Sequence, residues 1–125
     1  VYILMSVYIS PNGSTAIAYI DGDIDHHTAK EIRESIDNYI EKYNPNLLSI
    51  DFNNVQFMDT SGIGLIMGRF KLMNSVKGKL KVINVPKNLE RMIKLSGLGA
   101  LGILEMEEQK NYANRNKWNE HKFFK

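Results

Sequence analysis

The sequence predicts an α/β protein: a mixed, mostly parallel sheet with helices packed on it and a β-hairpin at the N-terminus. Three observations carry this. Two strand-like runs at the start are joined by the turn signal Pro11-Asn12-Gly13. From residue 28 onward, segments of helical periodicity alternate with short β-branched runs. Each helical segment is also bracketed by capping and breaking residues. Alternation of this kind requires crossover connections and therefore parallel neighbours, while the hairpin places an antiparallel strand at one side.

The elements follow in order. Residues 1–9 (VYILMSVYI) are β-branched and aromatic enough for a first strand, and Thr15 to Ile20 for a second. Asp21 to His27 is a polar connection. Thr28-Ala29-Lys30-Glu31 fits a capping box, in which the threonine hydroxyl takes a backbone N–H and the glutamate reaches back. Ile32, Ile36, Tyr39, Ile40 and Tyr43 then recur at helical spacing until Asn44-Pro45-Asn46 stops the helix. Leu47 to Phe52 reads as a strand buried on both faces. A second helix opens at Asp59-Thr60-Ser61, all N-cap residue types, and runs to about Val76, with Gly78 ending it. Lys79 to Asn84 is a further strand. Pro86 suits the first turn of a third helix with Leu89, Met92, Ile93 and Leu95 on its apolar face, closed by Gly97 and Gly99. Leu101 to Leu104 reads as a last short strand.

The chain has 125 residues, enough for one core. The reading is one domain over residues 1–106, with 1–4 as an N-terminal extension ahead of an alternative start at Met5. Residues 107–125 form a tail, helical or disordered, in which Trp118, Phe123 and Phe124 are the apolar groups. The absence of cysteine removes disulfides, thiolate nucleophiles and cysteine zinc sites. No apolar run reaches the roughly 18 residues of a membrane span, which predicts a cytoplasmic protein. The net charge of +2 conceals an asymmetry. Residues 1–68 hold only Lys30, Arg33 and Lys42 against nine acidic residues, and the remaining residues hold 13 basic against 5 acidic. Much of the excess lies in the tail, so the basic balance does not make the domain a nucleic-acid binder.

Two segments carry the chemistry. In Phe57 to Lys71, Gly62, Gly64 and Gly68 stand inside a helix, each at a cost of up to about 1 kcal/mol relative to alanine. Close approach of helix to sheet accounts for Gly64 and Gly68, four residues apart on one face. Gly62 follows the hydroxyl pair and keeps the helix start free of bulk, so that a large partner reaches Thr60 and Ser61. The spacing G-x-G-x-x-x-G matches neither nucleotide fingerprint. What remains is a hydroxyl pair at a positive helix end, suited to a phosphate attached covalently or bound transiently. Ser61 lies in T-S-G-I-G and lacks the strained elbow of a G-x-S-x-G hydrolase, which argues against catalysis. In Asp21 to Thr28, three carboxylates and two imidazoles suggest a metal, but an EF-hand needs a glycine and a glutamate at positions where neither falls, so no metal site is assigned.

Together these segments resemble the STAS domain of bacterial anti-sigma factor antagonists, and in particular the sporulation branch of that family. The pattern G-[DE]-[IL]-D-H-H-T-A stands at Gly22 to Ala29. The pattern F-M-D-S-S-G-[IL]-G-x-I-x-G-R-[YF]-K stands at Phe57 to Lys71 with one substitution, and Ser96-Gly97-Leu98 is a third match. The resemblance covers roughly residues 5–106 and implies a STAS fold and a switch in place of an enzyme. It implies that the unphosphorylated form binds an anti-sigma factor that is also a serine kinase, releasing the sigma factor. Phosphorylation would abolish binding and a serine/threonine phosphatase would restore it. The ATP belongs to the partner kinase, and the chain itself needs no cofactor. The acceptor is the hydroxyl directly after the aspartate, here Thr60 where relatives carry serine, with Ser61 as the alternative. Asp23, Asp25, His26, Asp59, Thr60, Ser61 and Gly62 are the partner-binding residues so implied. Other STAS roles are a general-stress or stressosome module and a small subunit of a lipid-transport complex, since fold alone does not fix function.

Overall fold

A computed structural model describes residues 6–105. Most of the expected elements are present: β1 (Val7–Asn12), β2 (Thr15–Asp21), α1 (His26–Tyr43), β3 (Leu47–Asn54), α2 (Thr60–Ser75), β4 (Lys79–Ile83) and α3 (Lys87–Leu95), followed by a 3₁₀ turn (Leu98–Leu101). The expected extension at 1–4 and the tail at 107–125 lie outside the described residues. The four strands form one sheet in the order β1-β2-β3-β4, with β1 antiparallel to β2 and the other pairs parallel.

Register sets one apolar row across the sheet. Ala18 of β2 pairs with Ile50 of β3, which pairs with Val82 of β4; Ala16, Leu48 and Leu80 form the row beside it. All six are buried. Ile32, Ile36 and Ile40 of α1, and Leu65, Ile66 and Met73 of α2, are buried with them in one continuous core. Both helices are crossovers between adjacent parallel strands, so they lie side by side and point the same way.

The structure corrects several expectations. The hairpin turn is Gly13-Ser14, not Pro11-Asn12-Gly13, because Asn12 still pairs with Thr15 and only Gly13, at φ +62°, adopts the left-handed backbone that a two-residue turn needs. α1 begins at His26, capped by Asp25. Thr28 therefore serves as the third helical residue of the capping box instead of its cap, and Glu31 accepts a hydrogen bond from the Ser6 hydroxyl at 3.2 Å. Aspartate ranks ahead of threonine as a cap, which favours the earlier start. Tyr43 and Leu95 leave the predicted apolar faces and are 58% and 76% exposed, each at the last turn of its helix. The last strand reduces to a single parallel bridge between Val82 and Leu104; Gly97 and Gly102, both with positive φ, confine the preceding segment to turns.

Replacing Ile36 by alanine, at a site with no exposure, should cost about 3 kcal/mol of unfolding free energy in urea titrations. Tyr43→Ala should change it by less than about 0.5 kcal/mol.

Candidate functional site

The parallel pairing of β2 and β3 continues past both strands. Gly22 donates to the Asn54 carbonyl at 3.2 Å, Ile24 to that of Phe57 at 3.0 Å, and Asp59 back to that of Ile24 at 3.1 Å. An isolated Ile24–Met58 bridge results, with both side chains buried. One residue beyond each side of this bridge stands an aspartate cap, Asp25 for α1 and Asp59 for α2. The two segments singled out in the sequence, some 35 positions apart, are thereby fixed side by side beyond the C-terminal ends of the two central strands.

Each cap is explicit. Oδ1 of Asp25 accepts from the backbone N–H groups of His27 and Thr28, both at 2.9 Å. The Asp25 N–H in turn donates to the Thr28 hydroxyl at 2.9 Å, and that hydroxyl donates to the Asp23 carbonyl at 2.9 Å. Oδ1 of Asp59 accepts from the Ser61 N–H at 2.7 Å. Asp25 and Asp59 thus serve the chain's own backbone first. Asp23 keeps an exposed side chain.

Thr60 is the first residue of α2 and is exposed; its hydroxyl has no hydrogen-bond partner among the described residues. Ser61 is half-buried and turns toward α1. Gly62 is buried, and a Cβ there would overlap the Met58 side chain. The packing of α2 against the bridge residue therefore requires glycine there, a reason separate from the partner access expected from the sequence. Gly64 and Gly68 differ from expectation. A Cβ at either would meet nothing within 4 Å, so close packing against the sheet does not explain them. They face a groove of about 450 Å³ between the helices, lined by His26, Lys30 and Arg33 of α1 and by Ser61, Gly64 and Arg69 of α2, among others. The His26 and His27 rings lie against each other at a tilt of 34°, with centroids 4.1 Å apart. Among the described residues no group of three or more His, Asp or Glu side chains is placed to hold a metal ion.

At the far end of this groove an ion pair joins the two helices. Nε of Arg69 lies 2.7 Å from Oδ1 of Asp37, joining α2 to α1. Arg69 is only 6% exposed. Burial pushes the Asp37 carboxyl up and the Arg69 guanidinium down from their ordinary values, and the attraction of each for the other only partly offsets this. The cost of desolvating the two groups offsets much of their attraction, so the pair links the helices without adding much net stability. Its signal was available: Arg69 falls on the stripe Leu65, Ile66, Met73, where a charge is out of place. Phe57, 58% exposed beside the Asp59 cap, is a second feature given no role.

The STAS domain family model matches residues 8–111, and the chain belongs to that family. It is 37% identical over 82 residues to the anti-sigma F factor antagonist of Paenibacillus polymyxa, a match covering 66% of this chain and 70% of that one. The solved structure of the anti-sigma factor antagonist SpoIIAA in its unphosphorylated form superposes with a TM-score of 0.70 at 25% identity, covering 86% of this chain and 96% of the other. The Bacillus cell fate determinant SpoIIAA in its phosphorylated form gives 0.64 at 25% identity, over 86% and 98%. Among the described residues no helix is long and apolar enough to cross a membrane.

The hydrogen bond from the Thr28 N–H, the largest cause, together with that from His27, holds the Asp25 carboxyl below its ordinary 3.8. A carboxyl depressed in the folded state stabilises the fold above its unfolded pKa and loses that contribution as pH falls through the lowered value. Asp25→Ala should therefore lower the unfolding midpoint at pH 7, and the gap from wild type should close below about pH 4 in thermal scans.

Proposed function

We propose that the chain is an anti-sigma factor antagonist whose docking surface is the paired helix start, Asp23 to His26 beside Asp59 to Ser61. In the unphosphorylated state it binds an anti-sigma factor that is also a serine kinase and so frees the sigma factor. The kinase transfers the γ-phosphoryl group of its ATP to Thr60: the threonine oxygen bonds to phosphorus, the bond to ADP breaks and the hydroxyl proton is lost. The modified chain releases its partner until a serine/threonine phosphatase hydrolyses the ester. The chain acts as substrate and ligand and performs no catalysis of its own.

The observation that carries this reading is the Thr60 hydroxyl, exposed, without an internal partner and held at the first position of a capped helix. Ser61, half-buried, is less accessible to a kinase. The relative SpoIIAA, solved in unphosphorylated and phosphorylated forms, supports the chemistry. Phosphorylation adds about −1.5 to −2 charges. That charge would arise next to Asp59, Asp25 and Asp23, where the helix end offsets only about 0.3–1 kcal/mol on an exposed surface. Docking then fails through local repulsion and bulk, with the core unchanged. The acidic N-terminal half, and the absence of any hydrogen bond between Ser61 and His26 or His27 among the described residues, favour this role over a hydrolase.

Thr60→Ala should bind the anti-sigma factor without release by ATP, and Thr60→Glu should bind at least tenfold more weakly, a loss of about 1.4 kcal/mol. Ser61→Ala should still be phosphorylated. Calorimetric titration with the anti-sigma factor checks the first two, and phosphopeptide mapping after incubation with the kinase and ATP checks the third; stoichiometric phosphate on Thr60→Ala would move the acceptor to Ser61.

A further inference from the structure

The groove between α1 and α2 starts at the Thr60 end and runs down both helices for about 10 Å. Its α2 wall is bare at Gly64 and Gly68, where a side chain would meet only open space. Glycine is a poor choice inside a helix, and nothing within the fold requires it at these two positions. Some demand from outside the chain is therefore met by leaving the wall uncovered. The opposite wall is cationic. Of the three basic residues among the first 68, two, Lys30 and Arg33, line the groove, and neither forms a salt bridge among the described residues.

Arg69 gives an independent indication. Its side chain is more than nine-tenths buried and lines the groove. Nε faces Asp37, and Nη1 reaches the Leu65 carbonyl only at 3.4 Å. Among the described residues its other N–H groups have no acceptor. The buried Nε is taken up by Asp37, whereas Nη2 has no acceptor among the described residues and is not enclosed, so it is placed to donate to an anionic group brought into the groove.

From these observations we infer that the groove receives an acidic segment of the anti-sigma factor, laid along the bare α2 wall with a carboxylate reaching Lys30, Arg33 and the free N–H groups of Arg69. This deepens the proposed function and rests on it for the identity of the partner. It also ties the groove to the switch: Ser61 is at the groove's mouth, so a phosphate on the neighbouring Thr60 would repel an incoming carboxylate.

The test uses the full chain and three variants: Gly64→Ala with Gly68→Ala, Gly64→Leu, and Lys30→Glu with Arg33→Glu. The double alanine variant should raise the thermal midpoint by about 5 °C. Gly64→Leu and the double glutamate variant should each weaken binding of the unphosphorylated chain to the anti-sigma factor kinase at least tenfold in calorimetry while remaining folded. A double alanine variant less stable than wild type would show that the fold needs these glycines, and would overturn the inference. So would unchanged affinity in both other variants. If the wild-type chain binds no anti-sigma factor, the proposed function fails separately. A hexaglutamate peptide titrated into the labelled chain then decides on the groove: amide shifts at Arg33, Gly64 and Gly68, lost in the double glutamate variant, support it, and their absence overturns it.

Discussion

Everything at the site depends on three backbone hydrogen bonds beyond the ends of β2 and β3. They carry the parallel ladder through Gly22, Ile24 and Asp59, and they hold the starts of two helices together. Such bonds close the backbone accounting of two connections that would otherwise carry unsatisfied groups near a buried Ile24 and Met58. The bridge residues sit in the core, the aspartates one step beyond them cap the helices, and the next residues reach the surface. A one-residue slip in this short ladder would bury a cap and expose an isoleucine. The position of Thr60 is therefore set by the sheet, not by the helix it begins.

The electrostatic design follows from the same geometry. Two capped N-termini bring positive helix ends together beyond the C-terminal ends of the central strands, beside the carboxylates of Asp23, Asp25 and Asp59. Farther along the groove the sign reverses, through Lys30, Arg33 and Arg69. A partner docking here meets an acidic rim at the helix starts and a basic channel behind it. On the proposed function, one phosphoryl group at the boundary would alter the rim by more charge than any single side chain supplies. Because the Arg69–Asp37 pair clamps the helices at the other end, the change does not need to travel through the core.

Most of the fold was legible because its elements declare themselves locally. The Ile32-Ile36-Ile40 stripe, the continuous apolar run of β3 and the Asp59 cap depend on residues close in sequence. The motifs at Gly22–Ala29 and Phe57–Lys71 were legible as chemistry for the same reason. What was not legible depends on contacts between elements. Whether a helix glycine faces the sheet or a groove is decided by how two helices sit together, and here Gly62 took the packing role that had been given to Gly64 and Gly68. The cap of α1 shifted by three residues because Asp25 and Thr28 are both competent, and the ladder to Phe57 and Asp59 selects the earlier one. The last strand failed because glycine-rich turns between Gly97 and Gly102 outweigh a short apolar run.

The central claim is that partner binding occurs at the paired helix starts and the groove behind them. Amide chemical-shift mapping of the unphosphorylated chain, with the anti-sigma factor kinase added, tests it most directly. The account predicts perturbations clustered in residues 22–33 and 57–69, with α3 and the β1 edge silent. Perturbations centred on β1 or α3, with the Thr60 region unmoved, would contradict it.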